Sequence, residues 1–114
     1  MRKRGKRHYR KLDPAVLADI VGRIVQVTAP DKIILFGSAA RGQLGPNSDL
    51  DLLVIKGGRF NRRQLLEQVY MNMHGAGEAV DVIIATPEEV ARYGHSPWLV
   101  IAPALQEGKV VYAA

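Results

Sequence analysis

One stretch of the chain decides the fold and the site: Phe36-Gly37-Ser38-Ala39-Ala40-Arg41-Gly42-Gln43-Leu44-Gly45-Pro46-Asn47-Ser48-Asp49-Leu50-Asp51-Leu52-Leu53-Val54. It leaves an apolar run, turns at a glycine and a serine, and enters a segment with two alternating carboxylates. The first half is suited to holding a phosphate, and the second half to holding a divalent metal. Together they predict a site for a metal-bound nucleotide.

The turn at Gly37 and Ser38 follows the continuous apolar run Ile33–Phe36, which is typical of a buried strand. Gly37 lets the backbone turn sharply or approach a ligand closely. Ser38 is a good helix N-cap, so we expect a short helix to begin there and to direct unpaired backbone N–H groups at an anion. Arg41 could brace the loop or contact a phosphate. Taken alone, this pattern is more often a plain strand–helix junction.

Two carboxylates open the next apolar segment, residues 49–55. Because alternate residues of a strand share a face, Asp49 and Asp51 project together, about 7 Å apart along the backbone. Neighbouring carboxylates beside apolar residues repel each other and lose hydration, and a magnesium ion would supply the missing charge. The alternative is a solvated strand start with Ser48 and Asp49 as turn residues. The turn just upstream makes us favour the metal site.

A third acid, Asp81, lies inside another β-branched run, Glu78–Ala85. An acid in the middle of a strand needs a partner. We expect Asp81 to complete the metal shell and to accept the proton of an attacking hydroxyl. The alternative is an acid at the sheet edge, paired with Lys or Arg.

With these residues, the chain resembles the minimal nucleotidyltransferases of the DNA polymerase beta-like superfamily over roughly residues 14–112. The resemblance implies magnesium-dependent transfer of a nucleoside monophosphate from an NTP, with ATP favoured, to a hydroxyl. Ala39 is smaller than the residue that the family often has there. The matching motifs are Gly37-Ser38, Ala40-Arg41-Gly42, Ser48-Asp49-Leu50-Asp51-Leu52 and Val80-Asp81-Val82.

The predicted site follows from these motifs. Asp49, Asp51 and Asp81 are the predicted catalytic residues and the ligands of two magnesium ions, with Asp81 as the base. The predicted nucleotide-binding residues are Gly37, Ser38, Arg41 and Ser48.

The length of 114 residues predicts one domain over residues 13–114, with an α/β fold in which helices pack on a small mixed sheet. We expect strands near residues 31–36, 49–55 and 79–85. Helices are predicted from Pro14, over about Asn61–Met73, after the capping residue Thr86 and from Ser96. The chain has no cysteine and no apolar run of membrane-spanning length, so we expect a cytoplasmic protein that does not contact a membrane.

The net charge of +5 is concentrated at the start of the chain, where seven cations precede the first acid. The rest of the chain carries nine Lys and Arg against eleven Asp and Glu. Residues 1–12 are therefore predicted to be a flexible basic arm. We favour a solubilising arm over one that contacts nucleic acid, because His8 and Tyr9 alone do not make a base-stacking surface.

A domain of this size is expected to borrow its acceptor site from a partner or from a second copy of itself. Minimal nucleotidyltransferases are often paired with a HEPN-domain toxin, so the resemblance implies an antitoxin that modifies a tyrosine of that partner. One alternative is an antitoxin that neutralises its partner by contact alone. A less favoured alternative is transfer to an aminoglycoside-like alcohol.

Overall fold

The computed structural model of the protein describes residues 8–93 and 101–114. The predicted helix start at Ser96 and residues 1–7 of the predicted arm lie outside these residues. The elements are α1 (Pro14–Thr28), β1 (Lys32–Phe36), α2 (Gly37–Ala40), β2 (Leu50–Ile55), α3 (Arg62–Met71), β3 (Val80–Ala85), α4 (Pro87–Tyr93), α5 (Ile101–Glu107) and β4 (Lys109–Ala113).

The four strands form one mixed sheet in the order β3-β2-β1-β4. Strand β1 pairs antiparallel with both β2 and β4, whereas β2 and β3 run parallel. A parallel pair needs a crossover connection, which α3 supplies between β2 and β3. The predicted fold class is confirmed, and the three predicted strands agree with β1, β2 and β3 to within a residue.

Side chains alternate across the sheet and fill two apolar clusters, one on each face. The larger cluster joins β1, β2 and β3 to α1 and α3, and the smaller one joins them to α5. Strand β2 is buried on both faces, which explains its nearly continuous apolar sequence. The larger cluster includes Ile20, Ile24, Ile33, Leu35, Leu50, Leu52, Val54, Val69, Val82 and Ile84, and the smaller one is Ile34, Leu53, Ile55, Ala85 and Ala104.

Helices α1, α3 and α4 begin next to residues whose side chains cap them. The carboxylate of Asp13 accepts a hydrogen bond from the Ala15 N–H at 2.9 Å, and the side chain of Asn61 accepts one from the Gln64 N–H at 3.0 Å. Before α4, the hydroxyl of Thr86 accepts from the Glu89 N–H at 3.1 Å. The Glu89 carboxylate in turn accepts from the Thr86 N–H at 2.8 Å. These caps satisfy N–H groups that a helix leaves unpaired.

Among the described residues, no helix is long and apolar enough to cross a membrane.

Helix α1 contains a glycine that the fold does not require. An added Cβ at Gly22 would meet no atom within 4 Å, and glycine inside a helix costs about 0.5–1 kcal/mol relative to alanine. Gly22→Ala should therefore raise the free energy of unfolding by about that amount in urea denaturation. Gly108→Ala should lower it, because a Cβ there would collide with the Ala104 carbonyl oxygen. An unchanged or lower stability of Gly22→Ala would contradict the first expectation.

Candidate functional site

The three predicted acids lie on one face of the sheet. The parallel register of β2 and β3 places Asp51 opposite Asp81. Asp49 is two residues before Asp51 and shares its face, because side chains alternate along an extended chain. All three are on the face of the smaller apolar cluster, near the point where β2 and β3 begin. The structure thus brings Asp49, Asp51 and Asp81 together.

Asp51 is the half-buried member of the three, while Asp49 and Asp81 are exposed. Burial raises the pKa of the Asp51 carboxyl, and the negative charges of Asp81 and Asp49 raise this pKa further. Arg41 acts in the opposite direction and offsets part of the shift. A half-buried carboxylate repelled by two others leaves an excess of negative charge that a bound cation would neutralise.

Gly37 is required by the position of Asp51. Its φ of 71° lies in the left-handed region, and a Cβ at this position would collide with the Asp51 carboxylate. Only glycine meets both conditions without strain. Gly37 thus allows the backbone to lie close to the Asp51 side chain, and its predicted close approach to a ligand stays a prediction.

The predicted helix start at Ser38 is wrong by one residue. Helix α2 begins at Gly37, and Phe36 is in the N-cap position without a side-chain cap. The prediction rested on the capping preference of serine, but the first residue of the helix is Gly37, one position earlier. The Ser38 hydroxyl is consequently not engaged in capping α2, and it lines a cleft.

This cleft has a volume of about 520 Å³ and is lined mainly by residues of the segment that connects β1 to β2. Three of the four predicted nucleotide-binding residues line it: Ser38, Arg41 and Ser48. The same cleft is lined by His8 and Tyr9, which come from the start of the chain. We call this space the serine cleft, and its lining residues are His8, Tyr9, Ser38, Arg41, Gln43, Gly45, Pro46 and Ser48.

Ser48 and Arg41 also make contacts within the protein. The Ser48 hydroxyl oxygen accepts a hydrogen bond from the Gly45 N–H at 3.0 Å, which closes the loop and leaves the hydroxyl proton able to donate. Arg41 is half exposed, and its guanidinium lies 3.6 Å from the carboxylate of Glu107. An exposed pair of this kind contributes little energy and can open to admit an anion.

Sequence reasoning missed Arg10 and Glu78. The Arg10 guanidinium donates to the Gly45 carbonyl at 2.9 Å, to the Ser48 carbonyl at 3.0 Å and to the Glu78 carboxylate at 2.8 Å. The backbone N–H of Arg10 also donates to the Leu44 carbonyl at 2.9 Å. We call this set of contacts the arginine clasp. It fixes the described end of the predicted arm to the loop of the serine cleft, and no local sequence signal distinguishes Arg10 from the cations before it.

The donor atoms of the three acids fit a magnesium ion, which prefers hard oxygen ligands. Among residues 8–93 and 101–114, no group of three or more His, Cys, Asp or Glu side chains is arranged so that it could hold a metal ion. Magnesium is usually held by one or two carboxylates, with substrate phosphates and waters as the other ligands. The repulsion around Asp51 fits such a partial set of protein ligands.

The fold and the site define an α/β domain with three acids on one face of the sheet and a separate cleft that is lined by hydroxyl and guanidinium groups and by none of these acids. The nucleotidyltransferase domain family matches residues 16–110, which include all seven predicted site residues. The chain belongs to this family and is a nucleotidyltransferase. The match confirms the resemblance that the sequence motifs carried. No curated protein sequence matches the chain.

Solved structures agree with this fold. A candidate nucleotidyltransferase from Sulfolobus solfataricus matches 87% of this chain and 78% of its own, with 20% identity and a TM-score of 0.58. A toxin–antitoxin structure with AMP-PNP matches 84% of this chain and 73% of its own, with 20% identity and a TM-score of 0.52. A mutant of the toxin–antitoxin pair MntA–HpeT covers the same shares, with 18% identity and a TM-score of 0.51.

The raised pKa of Asp51 predicts how stability depends on pH. The stability contribution of Asp51 is complete below the pKa of the unfolded chain, and it is lost as the pH rises through the higher pKa of the folded protein. Asp51→Asn stays neutral, so without divalent cations at pH 7 it should melt at a higher temperature than the natural protein. This difference should disappear below about pH 4.

Thermal unfolding in a chelator across this pH range tests the expectation. Asp19→Asn is the control, because Asp19 lies on α1 and forms a surface pair with Arg23 at 3.0 Å. A lower melting temperature of Asp51→Asn at pH 7 would contradict the electrostatic account.

Proposed function

We propose that this protein transfers a nucleoside monophosphate from an NTP, with ATP favoured, to a hydroxyl of a protein partner. The observation that carries the proposal is the convergence of Asp49, Asp51 and Asp81 on one face, beside the turn that begins at Gly37. Family membership supports the class of reaction. Such a reaction consumes an NTP and requires magnesium, both of which the cytoplasm supplies.

The serine cleft would hold the triphosphate. The hydroxyls of Ser38 and Ser48 can donate to phosphate oxygens, and the Arg41 guanidinium can pair with them. Arg41 would then exchange its weak surface pair with Glu107 for a phosphate. Holding the β- and γ-phosphates in this way would leave the α-phosphorus open to in-line attack.

The acids would hold magnesium with one or two carboxylates on each ion and with substrate phosphates and waters as the other ligands, and two ions are expected. When bound, magnesium would neutralise the charge of the phosphate oxygens and stabilise the pyrophosphate that leaves. Asp51 would be a rigid ligand, because its carboxylate lies directly against the backbone of Gly37. Asp49 and Asp81 are more exposed and can face the substrate.

Asp81 is the candidate general base. It lies on β3, which is at the edge of the sheet, so a hydroxyl of another protein can approach it from outside. The carboxylate of Asp81 would accept the proton of that hydroxyl. At the same time the hydroxyl oxygen would bond to the α-phosphorus, and the bond between the α-phosphorus and pyrophosphate would break.

A HEPN-domain toxin is the acceptor that we favour, with a tyrosine as the modified residue. Two structures with similar folds are toxin–antitoxin complexes, one of them with AMP-PNP. At 20% and 18% identity, these structures support the fold alone, and the toxin partner is our inference. The protein would then act as an antitoxin by covalent modification.

Replacing the acids separates chemistry from folding. Asp81→Asn should reduce the rate of nucleotide transfer at least about 100-fold, because a general base contributes roughly 10²–10⁴-fold. Asp51→Asn should abolish detectable transfer, because it removes the least exposed of the three carboxylates that are proposed to hold magnesium. Asp19→Asn is the matched control and should retain full activity. Substantial transfer by a folded Asp51→Asn variant would contradict the assignment.

The acceptor can be identified by mass. The purified protein is incubated with magnesium, each NTP in turn and any HEPN protein encoded beside it, and intact masses are measured. We expect the partner to gain one or more nucleoside monophosphates, with ATP as the best donor. Tight complex formation without any mass gain would contradict catalysis and favour neutralisation by contact.

A further inference from the structure

The serine cleft has a side that the proposed reaction does not use. Ser38, Arg41 and Ser48 give it hydroxyl and guanidinium groups suited to phosphates, and His8 and Tyr9 give it two exposed rings. The exposed fraction of Tyr9 is 44%. A cleft with phosphate-binding groups and aromatic rings matches the two chemically different parts of a nucleotide.

We propose that Tyr9 is the stacking platform for the base of the bound NTP, with His8 beside it. The proposal rests on the proposed function, because it takes the phosphates to lie at Ser38 and Ser48. Every nucleobase has a π-face, so an aromatic ring contributes affinity without strict base selection. Residues 8 and 9 would therefore belong to the nucleotide site and not to a detached arm.

The arginine clasp holds the backbone next to Tyr9 at the serine cleft. Tyr9 is bonded directly to Arg10, whose backbone N–H donates to the Leu44 carbonyl at 2.9 Å. The Arg10 guanidinium holds the carbonyls of Gly45 and Ser48 at 2.9 and 3.0 Å, and these two residues line the serine cleft. The base side and the phosphate side of the cleft are thus joined by hydrogen bonds before any nucleotide arrives.

Glu78 strengthens the clasp from the opposite direction. Its carboxylate accepts hydrogen bonds from two nitrogens of Arg10, and its side chain is only 14% exposed. Two parallel N–H···O bonds fix the plane of a guanidinium as well as its position. The backbone next to Tyr9 is held in this way, so little of its conformational entropy remains to be lost when a base stacks on the ring.

The test compares a ligand that has a base with one that has none. Binding of ATP and of inorganic tripolyphosphate, each with magnesium, is measured by calorimetry on the full chain and on Tyr9→Ala. Base stacking is worth about 1–3 kcal/mol, so Tyr9→Ala should weaken ATP binding roughly 5- to 150-fold. Tripolyphosphate should bind the variant and the natural protein equally.

Two variants serve as controls. Tyr9→Phe keeps the ring and should bind ATP within about twofold of the natural protein. Tyr93→Ala removes a tyrosine of similar exposure, 37%, that does not line the serine cleft, and it should leave ATP binding unchanged. Ser38→Ala should weaken the binding of both ATP and tripolyphosphate, because the Ser38 hydroxyl is proposed to contact the phosphates that both ligands carry.

The outcomes distinguish this inference from the proposed function. Unchanged ATP affinity of a folded Tyr9→Ala variant would overturn the stacking platform and leave the transferase proposal intact. Equal losses for ATP and tripolyphosphate would also overturn it, because they would show a disturbed cleft. A natural protein that binds neither ligand would overturn both proposals.

Discussion

The parallel pairing of β2 with β3 is the constraint on which the site depends. Its register sets Asp51 opposite Asp81, and the same pairing carries Leu52 and Val82 into the larger core. A slip of one residue would move each side chain of β3 to the other face, so it would expose the apolar set and separate the acids. The burial that stabilises the sheet therefore also fixes the distance between carboxylates that repel each other.

At Asp51, the stability of the folded protein and the proposed function favour different protonation states. Burial and two neighbouring charges disfavour its ionised form, whereas the proposed role as a metal ligand would require that form. The apolar clusters on both faces of β2 hold the carboxylate in place despite the repulsion. Gly37 completes the arrangement, because any larger residue would displace the Asp51 side chain.

Local patterns predicted most of the fold and part of the site. The β-branched runs and capping residues located three strands and the starts of α1, α3 and α4, and alternation placed Asp49 and Asp51 on one face. Ser38 was predicted to be the cap from its residue type alone, and that preference does not fix the residue at which α2 begins. The Arg10–Glu78 contact joins residues 68 positions apart, so no periodicity within the chain can reveal it.

The arginine clasp changes how the basic start of the chain is understood. Arg10 contacts the carbonyl of Ser48, which precedes Asp49, and the carboxylate of Glu78, which precedes Asp81 by three residues. One guanidinium thus ties together the serine cleft, the strand start of β2 and the approach to β3. A nucleotide that contacts Tyr9 and the serines would bind across this connection, so it would also stabilise the segments that carry the acids. Binding and catalytic geometry would then be coupled through backbone carbonyls and one carboxylate, without any movement of the sheet.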